Sequence, residues 1–300
     1  MRVGVSVVAL SARLSRVAGF IPEGARLVDV GTDHAFLPIA LVQSGRIPSA
    51  IACDVAAGPV GAARENVRRY GLDDRVKIRQ GDGLSPIRPG EVDVAVISGL
   101  GGWTITGILR RSPAVVAALN RVVLQPMNAG GEVRRFLRDQ GFGIWDEALL
   151  EEDGRFYQVI AFDRAVCPNA VYAPWSLEDR WLCEEYGPLL LRRSNSLVRR
   201  WLSEERQRLA RVHQRVGQAV SAEARLRREA LALQLAAMDR WLTGGKSCPA
   251  SPDRDNRAEH RAAVDGADKD RAAVDGADKD GVDKDRADGG EPGSDPGEPV

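Results

Sequence analysis

The 300-residue chain has only four cysteines, and they are scattered: Cys53, Cys167, Cys183 and Cys248 form no C-x-x-C and no Cys/His spacing of a metal site. That pattern excludes a zinc-type centre and gives no disulfide framework, so the thiols read as reduced, in a cytoplasmic protein with no expected metal. Long apolar runs are missing as well. No stretch approaches the ~20 residues that cross a bilayer. The short apolar segment at 3–10 runs directly into a pattern carrying Arg13 and Arg16, unlike a targeting signal. A soluble protein without a membrane partner is the expectation; the sequence does not identify the oligomeric state, and a monomer is compatible with it.

Net charge is also absent, with 42 Lys/Arg against 42 Asp/Glu, but the balance is uneven along the chain. Residues 1–165 hold 20 basic against 18 acidic residues, residues 166–245 hold 13 against 9, and residues 246–300 hold 9 against 15. An acidic tail therefore masks a mildly basic body. The tail is nearly devoid of large apolar side chains, and RAAVDGADKD occurs at 261–270 and again at 271–280. Two such units cannot bury a core, which predicts a disordered tail rather than a solenoid. Its Asp-rich runs lack the twelve-residue loop and closing Glu of a calcium site.

The remaining ~245 residues are enough for a sizeable core. Leu10, Leu14, Val17 and Ala18 keep helical spacing up to the block imposed by Pro22. Strands are predicted at 26–30, 50–54, 75–79, 92–97, 120–125, 143–151 and 155–163. Helices are predicted at 35–44, 58–70 (capped by Gly71), 103–111 and 129–140. This alternation implies a doubly wound, Rossmann-like α/β domain over 1–165, its sheet closed by an antiparallel strand after the 152–154 hairpin turn. From 166 to 245 only helix patterns remain. One includes Leu197, Val198, Trp201, Leu202, Leu209, Val212 and Val216. A second places Leu226, Ala230, Leu233, Ala237 and Trp241 on one side, so an antiparallel, coiled-coil-like helix pair is predicted. Its polar face carries Arg192, Arg193, Arg199, Arg200, Arg206, Arg208, Arg211 and Arg215. These either pair with Glu204, Glu205 and Glu223 on a solvated surface or face an RNA backbone.

Sheets of this kind bind ligands at the carboxyl ends of their strands. The first such turn has Gly31 alone where a dinucleotide site wants G-x-G-x-x-G, and Asp33 would repel a phosphate. Carboxylates instead end three successive strands: Asp29, Asp54 and Asp82. That series suits a cofactor with a cationic amino-acid end, a ribose and an adenine; S-adenosyl-L-methionine is such a cofactor. Asp29 and Gly31 are assigned to the amino-acid end, Asp54 to the ribose, and Asp82 with Gly83 to the adenine.

The order of motifs also resembles a family. The segments LSARL at 10–14, DVGTDHAFLP at 29–38, RQGDGL at 79–84, SGLGG at 98–102, LQP at 124–126, LEEDGRFYQV at 150–159 and EYGPLLL at 185–191 resemble the bacterial tRNA (adenine(22)-N1)-methyltransferases. The resemblance spans roughly 10–243. It implies a class I S-adenosylmethionine-dependent methyltransferase domain followed by a helical, coiled-coil-like domain, and methyl transfer to N1 of an adenine in tRNA. The family often has Ser in place of Thr32, Met in place of Leu100, and Asn in place of Met127; here Asn128 stands one position later.

For that chemistry the expected catalytic pair is Asp33, beside the methylated base, and His34, orienting the base or Asp33. Asp33 also fits a helix cap, His34 a structural histidine and Phe36 a core residue. Gly99 is expected against the cofactor, and Phe36, Gly101, Gly102, Trp103 and Asn128 against the substrate. The absence of Asn/Asp-Pro-Pro-aromatic at 98–102 argues against methylation of an exocyclic amine. Two competing readings are a methyltransferase acting on a small molecule or protein, and a non-catalytic tRNA-binding protein of the same fold.

Overall fold

The computed structural model describes residues 8–216 and 221–244. The expectations for residues 3–7, for Cys248 and for the acidic tail with its repeats lie outside the described residues.

The chain opens with α1 (Ala12–Ala18), capped by the Ser11 hydroxyl, which accepts the Leu14 amide at 3.3 Å. There follow β1 (Leu27–Val30), α2 (Phe36–Gln43), β2 (Ala50–Asp54), α3 (Ala57–Arg69), β3 (Val76–Gln80) and β4 (Val94–Leu100). The series continues with α4 (Gly102–Arg111), α5 (Pro113–Ala118), β5 (Arg121–Pro126), α6 (Gly130–Asp139), β6 (Gly143–Glu152) and β7 (Arg155–Asp163). The strands form one sheet in the order β3-β2-β1-β4-β5-β7-β6. The first five in that order are parallel, so their carboxyl ends share one edge, and the direction of winding reverses between β1 and β4. Alternation along the buried strands divides the core by face. Leu27, Ala50, Ala52, Val94 and Val96 pack with residues of α1, α2 and α3, whereas Val28, Ile51, Ala95 and Ile97 pack with residues of α4, α5 and α6.

Four details differ from the expectations. The antiparallel strand is not the last in the sheet: the tight turn at Asp153 and Gly154 (φ 51° and 71°) pairs β7 with β6, and the other edge of β7 lies against β5, so β7 sits between them, antiparallel to both. The segment 98–102 does not break the fourth strand, since β4 continues to Leu100 through a register shift between Ser98 and Leu100. The short α5, started by Pro113, was not legible in the apolar pattern. The fourth concerns the second long helix, described below.

Among the described residues after 166 the regular elements are helical, the α-helices being α7 (Arg180–Tyr186), α8 (Pro188–Arg193), α9 (Ser196–Val216) and α10 (Ala222–Leu242). Helices α9 and α10 are antiparallel, with Arg206 paired to Asp239 at 2.7 Å and Arg199 donating to the Leu242 carbonyl at 3.0 Å. The inward side of α10 is Leu231, Ala237, Met238 and Trp241; Leu226 and Leu233 are 69% and 74% exposed, contrary to the expected stripe. The near end of this region is keyed into the sheet. Arg134 and Glu147, both fully buried, pair at 2.7 Å. Arg134 also donates to Gln158 and to the carbonyls of Glu184 and Glu185, while Glu147 accepts the Leu189 amide. Gly187 (φ 96°) leaves room for this pair, since a Cβ there would come within 2.7 Å of Glu147 Oε1. The buried charges are thus shared between both parts of the chain, which makes the pairing strict.

Candidate active site

The carboxyl edge of the sheet is a continuous rim of turns. The amides of Gly31 and Thr32 both donate to the Cys53 carbonyl, at 2.9 and 3.1 Å, tying the first turn to β2. The Gly81 amide donates to the Asp54 carbonyl at 3.0 Å, tying in the turn after β3. On the other side a Cβ at Gly31 would lie 3.6 Å from Leu100 Cδ1, and the Met127 amide donates to the Leu100 carbonyl at 2.8 Å. The site spans the β1/β4 switch point, where an α/β sheet opens a crevice.

Asp29, at the end of β1, is only 7% exposed and accepts a 2.7 Å hydrogen bond from the Thr32 hydroxyl. Burial pushes its carboxyl up to about 6; the Thr32 bond opposes this and nearby Asp54 adds to it. Among the described residues no cation pairs with Asp29. Asp54 closes a turn by accepting the Ala56 amide at 2.9 Å. Asp82 is exposed and paired with Arg111 at 3.0 Å, a partner that the spacing of the acids did not reveal. Gly83 (φ 59°) is required, because a Cβ would come 2.5 Å from Ile108 Cγ2. Cys53, between the acids, is an inert buried thiol, pushed up to about 12 by burial and then by Asp29 and Asp54.

The outer side of the same turn is exposed. Asp33 Oδ2 lies 3.4 Å from His34 Nε2, and the His34 ring stacks on Phe36 at 5.3 Å and 25°. The helix-cap reading of Asp33 fails, because the N-cap residue of α2 is Ala35, in a left-handed conformation and without a side-chain cap. Phe36, 38% exposed, is not a core residue. The start of α2 therefore presents amides that no capping side chain occupies.

The end of β4 carries Gly99 (φ 80°), at the register shift that leads into the glycine loop. Gly101 and Gly102 meet Asn128, whose Oδ1 and carbonyl both accept the Gly102 amide at 3.2 Å. A Cβ at Gly102 would come 2.5 Å from the Ala129 carbonyl, so the close approach demands glycine there. Asn128, displaced by one position from the family pattern, thus anchors the loop through its side chain. Trp103 (64%) and Met127 (48%) stand exposed beside it. Sequence reasoning missed a polar cluster beneath this loop: Arg13, Ser98, Gln125 and Glu152. The signal was Gln125, a fully buried polar residue closing an otherwise apolar strand.

A switch-point crevice lined by strand-end acids, with no glycine-rich phosphate cradle, defines a class I methyltransferase fold rather than a dinucleotide-binding one. Comparison with known proteins agrees: a family model described as a methyltransferase domain matches residues 10–160. The tRNA (adenine(22)-N(1))-methyltransferase of Bacillus subtilis is 35% identical over 214 residues, covering 71% of this chain and 88% of the relative. The chain belongs to this tRNA (adenine(22)-N1)-methyltransferase family. Among solved structures, the B. subtilis enzyme TrmK superposes with a TM-score of 0.73 at 31% identity, covering 78% of this chain and 99% of that one. A Streptococcus pneumoniae protein solved in complex with S-adenosyl-L-methionine gives 0.66 at 32% identity, covering 78% and 100%.

Proposed function

We propose that this protein transfers a methyl group from S-adenosyl-L-methionine to N1 of an adenine in tRNA, at position 22. One observation carries the reading: a single turn has two chemically different faces, with Asp29 and Thr32 buried inward and Asp33, His34 and Phe36 exposed outward.

The inner face fits the cofactor. Asp29 is a carboxylate whose charge burial opposes, so a cationic ligand group beside it restores the ionised form. Asp29 and the Gly31 turn hold the amino-acid end, with the uncapped amides of α2 available to its carboxylate. Asp54 accepts from the ribose, Asp82 and Gly83 receive the adenine, and Gly99 lies against the sulfonium. When bound, S-adenosyl-L-methionine supplies an electrophilic methyl group that needs no further activation.

The outer face fits the target base. Adenine N1 carries an in-plane lone pair, so no side chain has to remove a proton before attack; the base has only to leave its stack. The His34–Phe36 stack and Trp103 offer planar faces to receive it, and Gly101, Gly102 and Asn128 fix the backbone around it. Asp33 stabilises the positive charge that appears on the ring as N1 is alkylated, or accepts a proton from the exocyclic amine, with His34 orienting it.

We read residues 1–165 as the catalytic domain and 166–245 as a helical domain that extends the tRNA footprint. Its support is a charge pattern. Near the sheet the arginines are engaged, Arg193 with Asp146 and Arg200 with Glu151, and further along Arg208 pairs with Glu205. At the far end of the hairpin Arg211, Arg215, Arg225, Arg227 and Arg228 are exposed, and none has an ion pair among the described residues. Free guanidinium groups suit RNA phosphates. A cytoplasmic activity fits a tRNA substrate. No described helix is long and apolar enough to cross a membrane, and no metal-holding cluster occurs among the described residues.

The test is direct. The protein is incubated with unmodified tRNA and labelled S-adenosyl-L-methionine, and the digested nucleosides are identified by mass and retention. N1-methyladenosine that disappears when position 22 is changed to another base is the expected result. Label in protein or small molecules redirects the substrate assignment, and tRNA binding with no transfer leaves a non-catalytic binder.

A further inference from the structure

We infer that Arg13 is a positioning residue for methyl transfer, holding the glycine loop after β4 in place from a helix outside the sheet's winding. The inference rests on the proposed reading of that loop as the meeting point of cofactor and base.

The geometry is specific. Arg13 Nη1 donates to Ser98 Oγ at 3.0 Å and to Gln125 Oε1 at 2.8 Å, bridging the ends of adjacent strands β4 and β5. Ser98 Oγ in turn donates to Gln125 Oε1 at 3.2 Å. The Arg13 amide donates to Glu152 Oε1 at 3.1 Å, Arg13 Nε lies 4.0 Å from Glu152 Oε2, and the guanidinium sits 5.7 Å from the Tyr157 ring centroid. One side chain therefore gathers β4, β5 and the β6–β7 hairpin. Its charge is balanced locally, and it is about three-quarters buried, with a relative exposure of 26%.

The position of the bridge gives it a role. Ser98 pairs with Gln125 and Leu100 with Pro126, so Gly99 is the extra residue of a bulge, at φ 80°. A Cβ on Gly99 would lie 3.8 Å from Arg13 Nη1. The guanidinium thus backs the residue at which β4 turns toward the crevice. Bulges re-aim the chain that follows them, and this one needs a partner because its extra residue has no ladder bond of its own. A planar guanidinium meets the two acceptors in fixed directions, which a lysine ammonium on a flexible stem does not. Arg13 acts through the loop, so its loss should misplace the loop relative to the cofactor while leaving the acids of the cofactor site untouched.

Arg13→Ala tests this in the full-length protein. Displacement of reacting groups by about 1 Å costs on the order of 100-fold, so kcat on tRNA should fall by about that factor. The affinity for S-adenosylhomocysteine and the KM for tRNA should stay within about threefold. Hydrogen exchange of the peptide covering residues 97–104 should quicken, a readout independent of turnover, and millimolar methylguanidinium should restore part of kcat. Arg13→Lys should recover only a fraction. Unchanged kcat and unchanged exchange would overturn the inference, as would a loss of cofactor affinity and melting temperature in proportion to activity, the mark of a purely structural role. If Arg13→Ala does not fold, Ser98→Ala removes that hydroxyl alone, with its bonds from Arg13 and to Gln125, and leaves the guanidinium in place. It should lower kcat several-fold without moving Tm, and no effect there also refutes the role. Failure of wild-type protein to form N1-methyladenosine would strike the proposed function instead, and the exchange and affinity measurements would still report on the loop.

Discussion

The crevice at the carboxyl edge and the far end of the α9–α10 hairpin handle charge in opposite ways. At the crevice, Asp29 is held in a place that penalises its ionised form, with the Thr32 hydroxyl as its side-chain support among the described residues. At the hairpin end, five arginines are exposed, where water supports their charge. Between them, charges such as Arg134 and Glu147 are buried, matched and silent. The lesson is that pairing separates structural charge from functional charge in this molecule. Among the described residues, a buried acid with no paired cation and a cluster of exposed arginines with no ion pair both suit partners from outside the fold.

That contrast can be broken, and the largest effect should come from the outer face of the first turn. Asp33→Ala should lower turnover by about 100- to 10,000-fold while cofactor affinity measured by calorimetry is retained, because Asp33 faces solvent rather than the Asp29 pocket. A variant with wild-type turnover would remove Asp33 from the catalytic set.

The hairpin comes next. Changing Arg211, Arg215, Arg225, Arg227 and Arg228 together to Gln should weaken tRNA binding about tenfold or more at low salt and flatten its salt dependence, with turnover at saturation preserved. An unaltered salt slope would reduce these arginines to a solvated surface. Substitution is a cleaner probe than cutting the chain near 170, which would strip Arg134 of the Glu184 and Glu185 carbonyls and leave a buried charge under-satisfied.

Asp29 predicts a pH effect of intermediate size. Its folded value of about 6 lies above the ordinary 3.8, so the folded state holds the proton more tightly than the unfolded chain. The stability this gives is complete below about pH 4 and is lost as pH rises through about 6, amounting to about 3 kcal/mol. Asp29→Asn should therefore melt several degrees higher than wild type at neutral pH while the two converge near pH 4, and it should lose cofactor binding. Wild-type cofactor affinity should rise through pH 6. Parallel melting curves for the two proteins across pH 4–7 would contradict the assignment. The smallest effect belongs to the acidic tail: a chain ending at 245 should keep wild-type melting and turnover, and a marked loss of either would give the tail a role.

Much of the fold was legible because its causes are local. Strands β1, β2 and β4 announced themselves by short apolar runs, and turns such as those at Gly31, Gly71 and Asp153-Gly154 by residues that suit their backbone angles. The acids Asp29, Asp54 and Asp82 were legible as a series because parallel strands bring their carboxyl ends to one edge. Other features were hidden for reasons equally physical. Leu226 and Leu233 fit a helical stripe as well as Leu231 and Met238 do, and only the direction of α9 decides which faces inward. Gly99 reads as a break, yet the ladder resumes at Leu100 because β5 supplies partners on both sides of it. The Arg111 that meets Asp82 could not be chosen among the arginines by spacing.

The sequence by itself determined the elements, their alternation, the acidic strand ends and the glycine loop, since propensity, periodicity and turn chemistry act within a few residues. The tertiary structure alone decided which groups meet across the fold: β7 between β5 and β6, Arg134 beneath the helical region, and Arg13 against Gln125, 112 positions away. Those meetings depend on strand order and helix rotation, set by burying the whole core at once, and no local pattern encodes that sum.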